Sequence, residues 1–270
     1  MIARPALPFL RPKPPRVSIL RLQGVIAATG SRGTLAHASL APAIERTFRK
    51  GKPRAVALAI NSPGGSPVQS ALIGAHIRRL ADELELPVHA FVEDVAASGG
   101  YWLAAAADHV WVDASSITGS IGVISAGFGF PAALDKLGIE RRVHTAGQDK
   151  SMLDPFRPER PEDIDRLKRL QAKIHSHFID HVKVRRGDRL AVDRDDLFTG
   201  EIFVGDDAVT AGLADGVAHL TPKMQEIYGE KVRLIGGAPR RPLIQRLMPS
   251  VARDAWDALE TRAHWARFGL

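Results

Sequence analysis

Three glycine-rich turns concentrate the residues able to do chemistry in this chain: Asn61-Ser62-Pro63-Gly64-Gly65-Ser66, Ala97-Ser98-Gly99-Gly100-Tyr101 and Thr118-Gly119-Ser120-Ile121-Gly122. Adjacent glycines let a backbone approach a ligand closely and turn its N–H groups outward. A phosphate loop is excluded because no Gly-Lys-Ser/Thr follows, and the dinucleotide pattern Gly-x-Gly-x-x-Gly is absent from all three. Ser98 is the best nucleophile candidate. It stands between a predicted strand and the small-residue segment Gly99-Gly100-Tyr101-Trp102-Leu103-Ala104, and a strand–Ser–helix elbow exposes the hydroxyl and aims the following N–H groups at a bound carbonyl. Val95-Ala96-Ala97 precede it, so the Gly-x-Ser-x-Gly pattern of an α/β-hydrolase is not met.

A serine nucleophile needs a base. The chain has ten histidines, but His89 and His109 fall in predicted strands and His175, His177 and His181 on one charged helix, settings usual for core or surface histidines. The other common base is a buried, neutral lysine. Lys150, in His144-Thr145-Ala146-Gly147-Gln148-Asp149-Lys150-Ser151, lies just past a predicted strand; composition alone does not separate it from an ordinary surface lysine.

The elements that must position these groups alternate along the chain. Apolar runs predict strands at 17–22, 55–60, 87–92, 109–113, 121–126 and 141–145, and amphipathic or small-residue stretches predict helices at 39–50, 67–84, 99–107, 131–137 and 161–185. Short strand and helix signals fill 198–235. The alternation implies an α/β domain with mostly parallel strands, whose ligand sites lie at strand ends.

Composition narrows the function classes. The 270 residues hold no cysteine, which excludes disulfides, thiolate metal sites and a cysteine nucleophile. Lys and Arg number 37 against 30 Asp and Glu, a net charge of +7. Residues 1–16 carry +4 and residues 231–270 carry +5, leaving the remainder at −2. A near-neutral body argues against a nucleic-acid enzyme, which lines its groove with basic residues. No apolar run approaches the ~20 residues of a spanning helix. The reading is therefore a flexible, basic, Pro-rich leader (1–16), a catalytic domain (17–235) and a basic amphipathic C-terminal extension (236–270).

Taken together, and in this order, the motifs resemble the signal peptide peptidase A family of serine peptidases over about residues 17–220. The three turns are followed by Lys150 with Pro155-Phe156-Arg157, then Phe198-Thr199-Gly200-Glu201, Ala208 and Gly212-Leu213-Ala214-Asp215. The resemblance implies an α/β Clp-protease/crotonase-like fold of repeated ββα units. It assigns Ser98 as nucleophile, Lys150 as general base, Ser120 as the serine that orients the lysine, and backbone N–H groups near Gly64, Gly65 and Gly99 as the oxyanion hole, with no cofactor and no metal. The implied substrates are peptides with apolar segments, such as remnant signal peptides. The implied assembly is a ring-shaped homo-oligomer whose protomers share active sites, so that Ser98 meets Lys150 of the adjacent chain. Two other readings share the fold: a crotonase-type acyl-CoA enzyme, which would not need Ser98 and Lys150 together, and an inactive ring-forming scaffold.

Many members of that family carry an N-terminal membrane anchor, and none is read here. The expected location is cytoplasmic with peripheral contact at the inner membrane. The extension offers the means, since Leu243, Ile244, Leu247, Met248, Val251, Trp256, Leu259, Trp265 and Phe268 alternate with arginines, the pattern of an interfacial helix. The competing expectation is that this extension packs on its own or a neighbouring protomer.

Overall fold

The structure is a computed structural model and describes residues 14–28, 33–147, 150–191, 193–236, 262 and 265–269. In chain order the elements are β1 (Arg16–Gln23), β2 (Val25–Ile26), β3 (Thr34–Leu35), α1 (His37–Arg49), β4 (Ala55–Ser62), α2 (Pro67–Glu83), β5 (Val88–Ala97) and α3 (Gly99–Ala105). They continue with β6 (His109–Val112), β7 (Ile117–Gly119), α4 (Pro131–Leu137), α5 (Pro161–Arg186), β8 (Ile202–Val204), α6 (Asp206–Thr210), β9 (Gly216–Val217), α7 (Leu220–Tyr228) and β10 (Arg233–Gly236). The main sheet runs β10-β1-β4-β5-β6-β9, with β7 on β5 and β8 on β7. Its pairings are parallel except β7 with β8.

The run AVALAINS becomes the central strand because every one of its eight residues is buried; a parallel strand covered on both faces reads as continuously apolar. One face packs Leu58 and Ile60 against α2 and α3, and the other packs Ala55 and Ala57 with Phe91 under Met224 of α7. The α2 helix starts where Ser66 accepts the Gln69 N–H and Pro67 takes the first helical position, both favourable there. Its Ile73, Ile77 and Leu80 are fully buried, each burial contributing roughly 1.5–3 kcal/mol. Pro161 opens α5, which places Glu162 and Asp163 in its first turn and Lys183, Arg185 and Arg186 in its last, in keeping with the helix dipole.

Two predicted strands are not found. Residues 141–145 form no strand, and the apolar run 121–126 leaves the sheet after Ser120; the strand at this place is Ile117–Gly119, which pairs with β5 and β8. The cause is exposure: Ile121 is buried, but Ile124 is 66% exposed, so beyond Ile121 the apolar character of the run does not reflect burial within the chain. The strand predicted at 87–92 runs on to Ala97, past an irregularity in its pairing with β4. From residue 122 to residue 160 no described residue is buried, and α4 buries none. This stretch is an arm outside the body. The leader lies outside the described residues up to residue 13, as does the extension except Gly236, Arg262 and Trp265–Gly269.

Candidate active site

Parallel register builds the site. Val95, Ala96 and Ala97 of β5 pair with Ile117, Thr118 and Gly119 of β7, so the next residues, Ser98 and Ser120, leave adjacent strand ends in equivalent positions. Both hold a left-handed backbone, with φ 52° at Ser98 and 50° at Ser120, a conformation uncommon for residues other than glycine and kept only where the surroundings enforce it. The enforcement is visible. The Ser98 N–H donates to Gly119 O at 2.8 Å and the Ser98 carbonyl accepts the Trp102 N–H, while the Ser120 N–H donates to Glu201 O at 2.6 Å. Ser98 caps the N-terminus of α3 without spending its hydroxyl on the cap.

The Gly64-Gly65 turn is pressed against this elbow. A Cβ on Gly64 would stand 2.8 Å from Ala97 O, Gly99 N and Ser98 Cβ, so only glycine allows the approach. A Cβ on Gly65 would collide with the Ile26 carbonyl, whose residue bridges to the turn: Ile26 N–H donates to Gly64 O and Ser66 N–H to Ile26 O, each at 2.8 Å. The Gly64 N–H faces Ser62 Oγ at 3.3 Å. By contrast, the N–H groups of Gly65 and Gly99 have no acceptor among the described residues, and a Cβ on Gly99 would lie 3.4 Å from Gly65 N. Two unused donors therefore stand side by side next to Ser98.

Gly65 and Ser98 line a cavity of about 530 Å³, with Gly99 directly behind them. Ser98, Ser120, Ser66 and Thr199 give it polar atoms, and Val25, Ile26, Ala27, Val123 and Ile124 give it apolar walls. Among the described residues no histidine lines it. His181, buried against Trp102, has its pKa lowered to about 4, chiefly by burial; its neutral ring donates to Trp102 O at 3.0 Å. His175 donates to Ile121 O at 2.9 Å. These α5 histidines brace α3 and the residue after Ser120.

Of the residues expected from the sequence, Ser98, Ser120, Gly64, Gly65 and Gly99 are brought together. Lys150 is not among the cavity's lining residues; it is exposed, in the arm. Sequence reasoning assigned no role to Thr199 and Gly200, which form one wall, although they belong to a quoted motif. It also missed the Val25–Ala27 wall, whose two-residue strand gives no periodic signal, and Arg267, which reaches the cavity from the C-terminal residues.

The model of peptidase family S49 matches residues 81–231, more than half of the chain. The chain belongs to peptidase family S49. Membership bears out the serine-peptidase class and, with the parallel-rich sheet, the Clp-protease/crotonase-like fold class expected from the sequence. The chain is 47% identical over 272 residues to a Brucella melitensis protein named Na(+)/H(+) antiporter NhaA, covering 94% of this chain but 37% of that protein. It thus spans little more than a third of that relative. Among the described residues no helix is long and apolar enough to cross a membrane. It is 31% identical over 206 residues to the chloroplastic serine protease SPPA of Arabidopsis thaliana, covering 76% of this chain and 30% of that one. It is 28% identical over 209 residues to Protease 4 of Haemophilus influenzae, covering 76% and 33%.

Proposed function

We propose that this chain is a serine endopeptidase for apolar peptide segments, such as remnant signal peptides, with Ser98 as nucleophile and Lys150 of a neighbouring copy as general base. The observation that carries the reading is the strained Ser98 elbow beside the two unused N–H groups of Gly65 and Gly99. The lysine amine, acting as general base, takes the hydroxyl proton as Ser98 Oγ bonds to the scissile carbonyl carbon. The oxyanion is held by the Gly65 and Gly99 N–H groups, with Gly64 as the tight spacer that sets them; such a donor is worth roughly 3 kcal/mol. The lysine then passes the proton to the leaving amine, and water hydrolyses the acyl-enzyme by the same route. Ser120, at the matching strand end, holds the lysine. The apolar walls suit apolar substrate side chains.

Sharing between copies is supported by the arm. Lys150 is exposed on a stretch in which no described residue is buried, and Ile124, Phe128, Leu137 and Ile139 are more than half exposed there. An apolar surface of this kind marks an interaction site, and a closed ring of like chains is the assembly that suits it.

Ser98→Ala and Lys150→Ala should each lower kcat on apolar fluorogenic peptides by on the order of 10³-fold or more. An equal mixture of the two inactive variants should recover roughly a quarter of wild-type activity if sites form between random neighbours in a ring. Wild-type rates in both variants would defeat the Ser–Lys assignment, and a mixture that stays inactive would defeat the shared site. The proposal also keeps the chain in the cytoplasm with peripheral contact at the inner membrane through residues 236–270. Liposome co-sedimentation against a chain ending at residue 238 tests this; equal binding would reject it.

A further inference from the structure

The near-neutral charge of the body hides a segregation. Residues 17–54 hold seven Lys and Arg against one acid, Glu45, and Arg16 adjoins them. Four of these cations, Arg16, Arg21, Arg46 and Lys50, line a cavity of about 340 Å³ between β1, α1 and the end of β10, with no carboxylate in its lining. The cavity shares no lining residue with the Ser98 cavity. Its volume falls in the range of small-molecule sites, and its walls are apolar: Ile19, Leu20, Leu40, Ala43 and Ile235.

The α1 helix divides its charges between two sides. Arg49 is paired with Glu45 at 2.8 Å and with Glu83 at 2.9 Å, and Glu45 also meets His76 and Arg79. Arg46 and Lys50, which face the cavity, have no ion pair among the described residues. Arg16 makes one long bond to Gly51 O at 3.4 Å, and Arg21 pairs with Glu93 at the opposite side. Converging like charges repel one another, and an anion at their centre relieves that repulsion. The sequence that follows Gly236 supplies Arg240 and Arg241 and no carboxylate before Asp254. A free inorganic anion would leave the apolar walls unused, and a neutral lipid would leave the cations unanswered.

We infer that this groove binds a single-chain amphiphile, an aliphatic chain laid on Ile19, Leu40 and Ile235 with a carboxylate or phosphate head among Arg16, Arg46 and Lys50. The test uses the full chain and calorimetric titration below the micelle concentration with dodecanoate, dodecyl phosphate, dodecanol and inorganic phosphate. Saturable one-to-one binding of dodecanoate or dodecyl phosphate is expected, and which of the two binds more tightly names the head group. Affinity should fall about tenfold or more in Arg46→Glu/Lys50→Glu and on going to high salt. Dodecanol and inorganic phosphate should bind at least about tenfold more weakly than the amphiphilic anions. Both substituted side chains are unpaired, so the variant should keep the wild-type circular dichroism; Ala43→Phe, which fills the groove and leaves the charge, should abolish binding as well. Equal affinity for dodecanol, unchanged binding in either variant, or binding only to anionic phosphatidylglycerol vesicles and not to the monomeric probes would each overturn the inference.

Discussion

Ser98 and Lys150 belong to regions built on different terms. Ser98 ends a buried parallel strand; its backbone is bonded to Gly119 on one side and to Trp102 on the other, and Gly64 is packed against it. Its position follows from strand register and would be the same in an isolated chain. Lys150 sits in the arm, whose contacts are local: Arg141 and Arg157 meet Asp154, Arg141 also lies over the Phe156 ring, and Phe130 packs on Phe156. The arm's links to the body lie near its ends, where Val123 and Ile124 wall the Ser98 cavity and where Arg160 and the Leu153 backbone meet Asp163 of α5. The comparison teaches that folding specifies only half of the proposed machinery, and the proposal assigns the other half to association.

Substitutions that act on one region and spare the other sharpen this contrast. The largest effect on stability is expected at Asp215. Burial acts to raise the Asp215 pKa, but hydrogen bonds from Arg186 and the Val110 N–H overcome it and the pKa is lowered; Arg186 itself is 1% exposed. Asp215→Ala should cost about 3–5 kcal/mol in urea unfolding by leaving that guanidinium buried without its carboxylate, with only the Gly212 carbonyl still accepting from it. Glu140→Ala, which removes the exposed pair with Arg142 in the arm, should leave the midpoint unchanged. Equal costs would break the comparison.

Next in size is Gly65→Ala, whose Cβ collides with the Ile26 carbonyl at φ +141°. Displacing one oxyanion donor should lower kcat by on the order of 10²-fold or more, with KM little changed; an unchanged kcat would remove Gly65 from the site.

Acid should weaken the body. His89 and His181 both have pKa values lowered to about 4, mainly by burial. In the unfolded chain each takes up a proton near the ordinary value of about 6.5, so between roughly pH 6.5 and 4 the unfolded state binds more protons and stability falls as pH falls. The loss from pH 8 to 5 should be on the order of 1–2 kcal/mol per histidine, and His181→Gln should flatten the profile. A profile as steep as that of the wild type would show that His181 is not responsible.

The smallest effect is expected from Phe128→Ser, at a side chain 82% exposed. Unfolding should be unaffected, while self-association measured by sedimentation weakens by roughly 1–2 kcal/mol, and activity becomes more sensitive to dilution. Loss of fold stability with unchanged association would assign the arm to the body instead.

The legibility of these regions in the sequence follows the same divide. The Ala55–Ser62 strand and the α2 helix were readable because their apolar spacing reports burial in this chain, whereas α5 buries its apolar residues only at Phe178 and Val182 and was readable from its length and amphipathic pattern. The elbow was readable because glycines and a serine at a strand end have few other uses. The arm was misread: Val123 and Ile124 look like strand core, yet they wall the cavity or face outward, and periodicity does not say which chain buries a side chain. The Ile26 support of Gly65 was invisible because it depends on a single bridge between residues far apart in sequence. The basic groove was missed because a summed charge erases its own distribution.

The close fit of Gly64 against Ser98 and Gly99 has a consequence for how activity is lost. Nucleophile and cradle touch, so warming or dilution cannot separate them while the sheet persists. On the proposed sharing of the site between copies, mild treatment that silences the activity leaves the half-sites intact, and the activity should return on concentrating or cooling. Dormancy of this kind would belong to the company of chains, and permanent loss would begin only with the sheet.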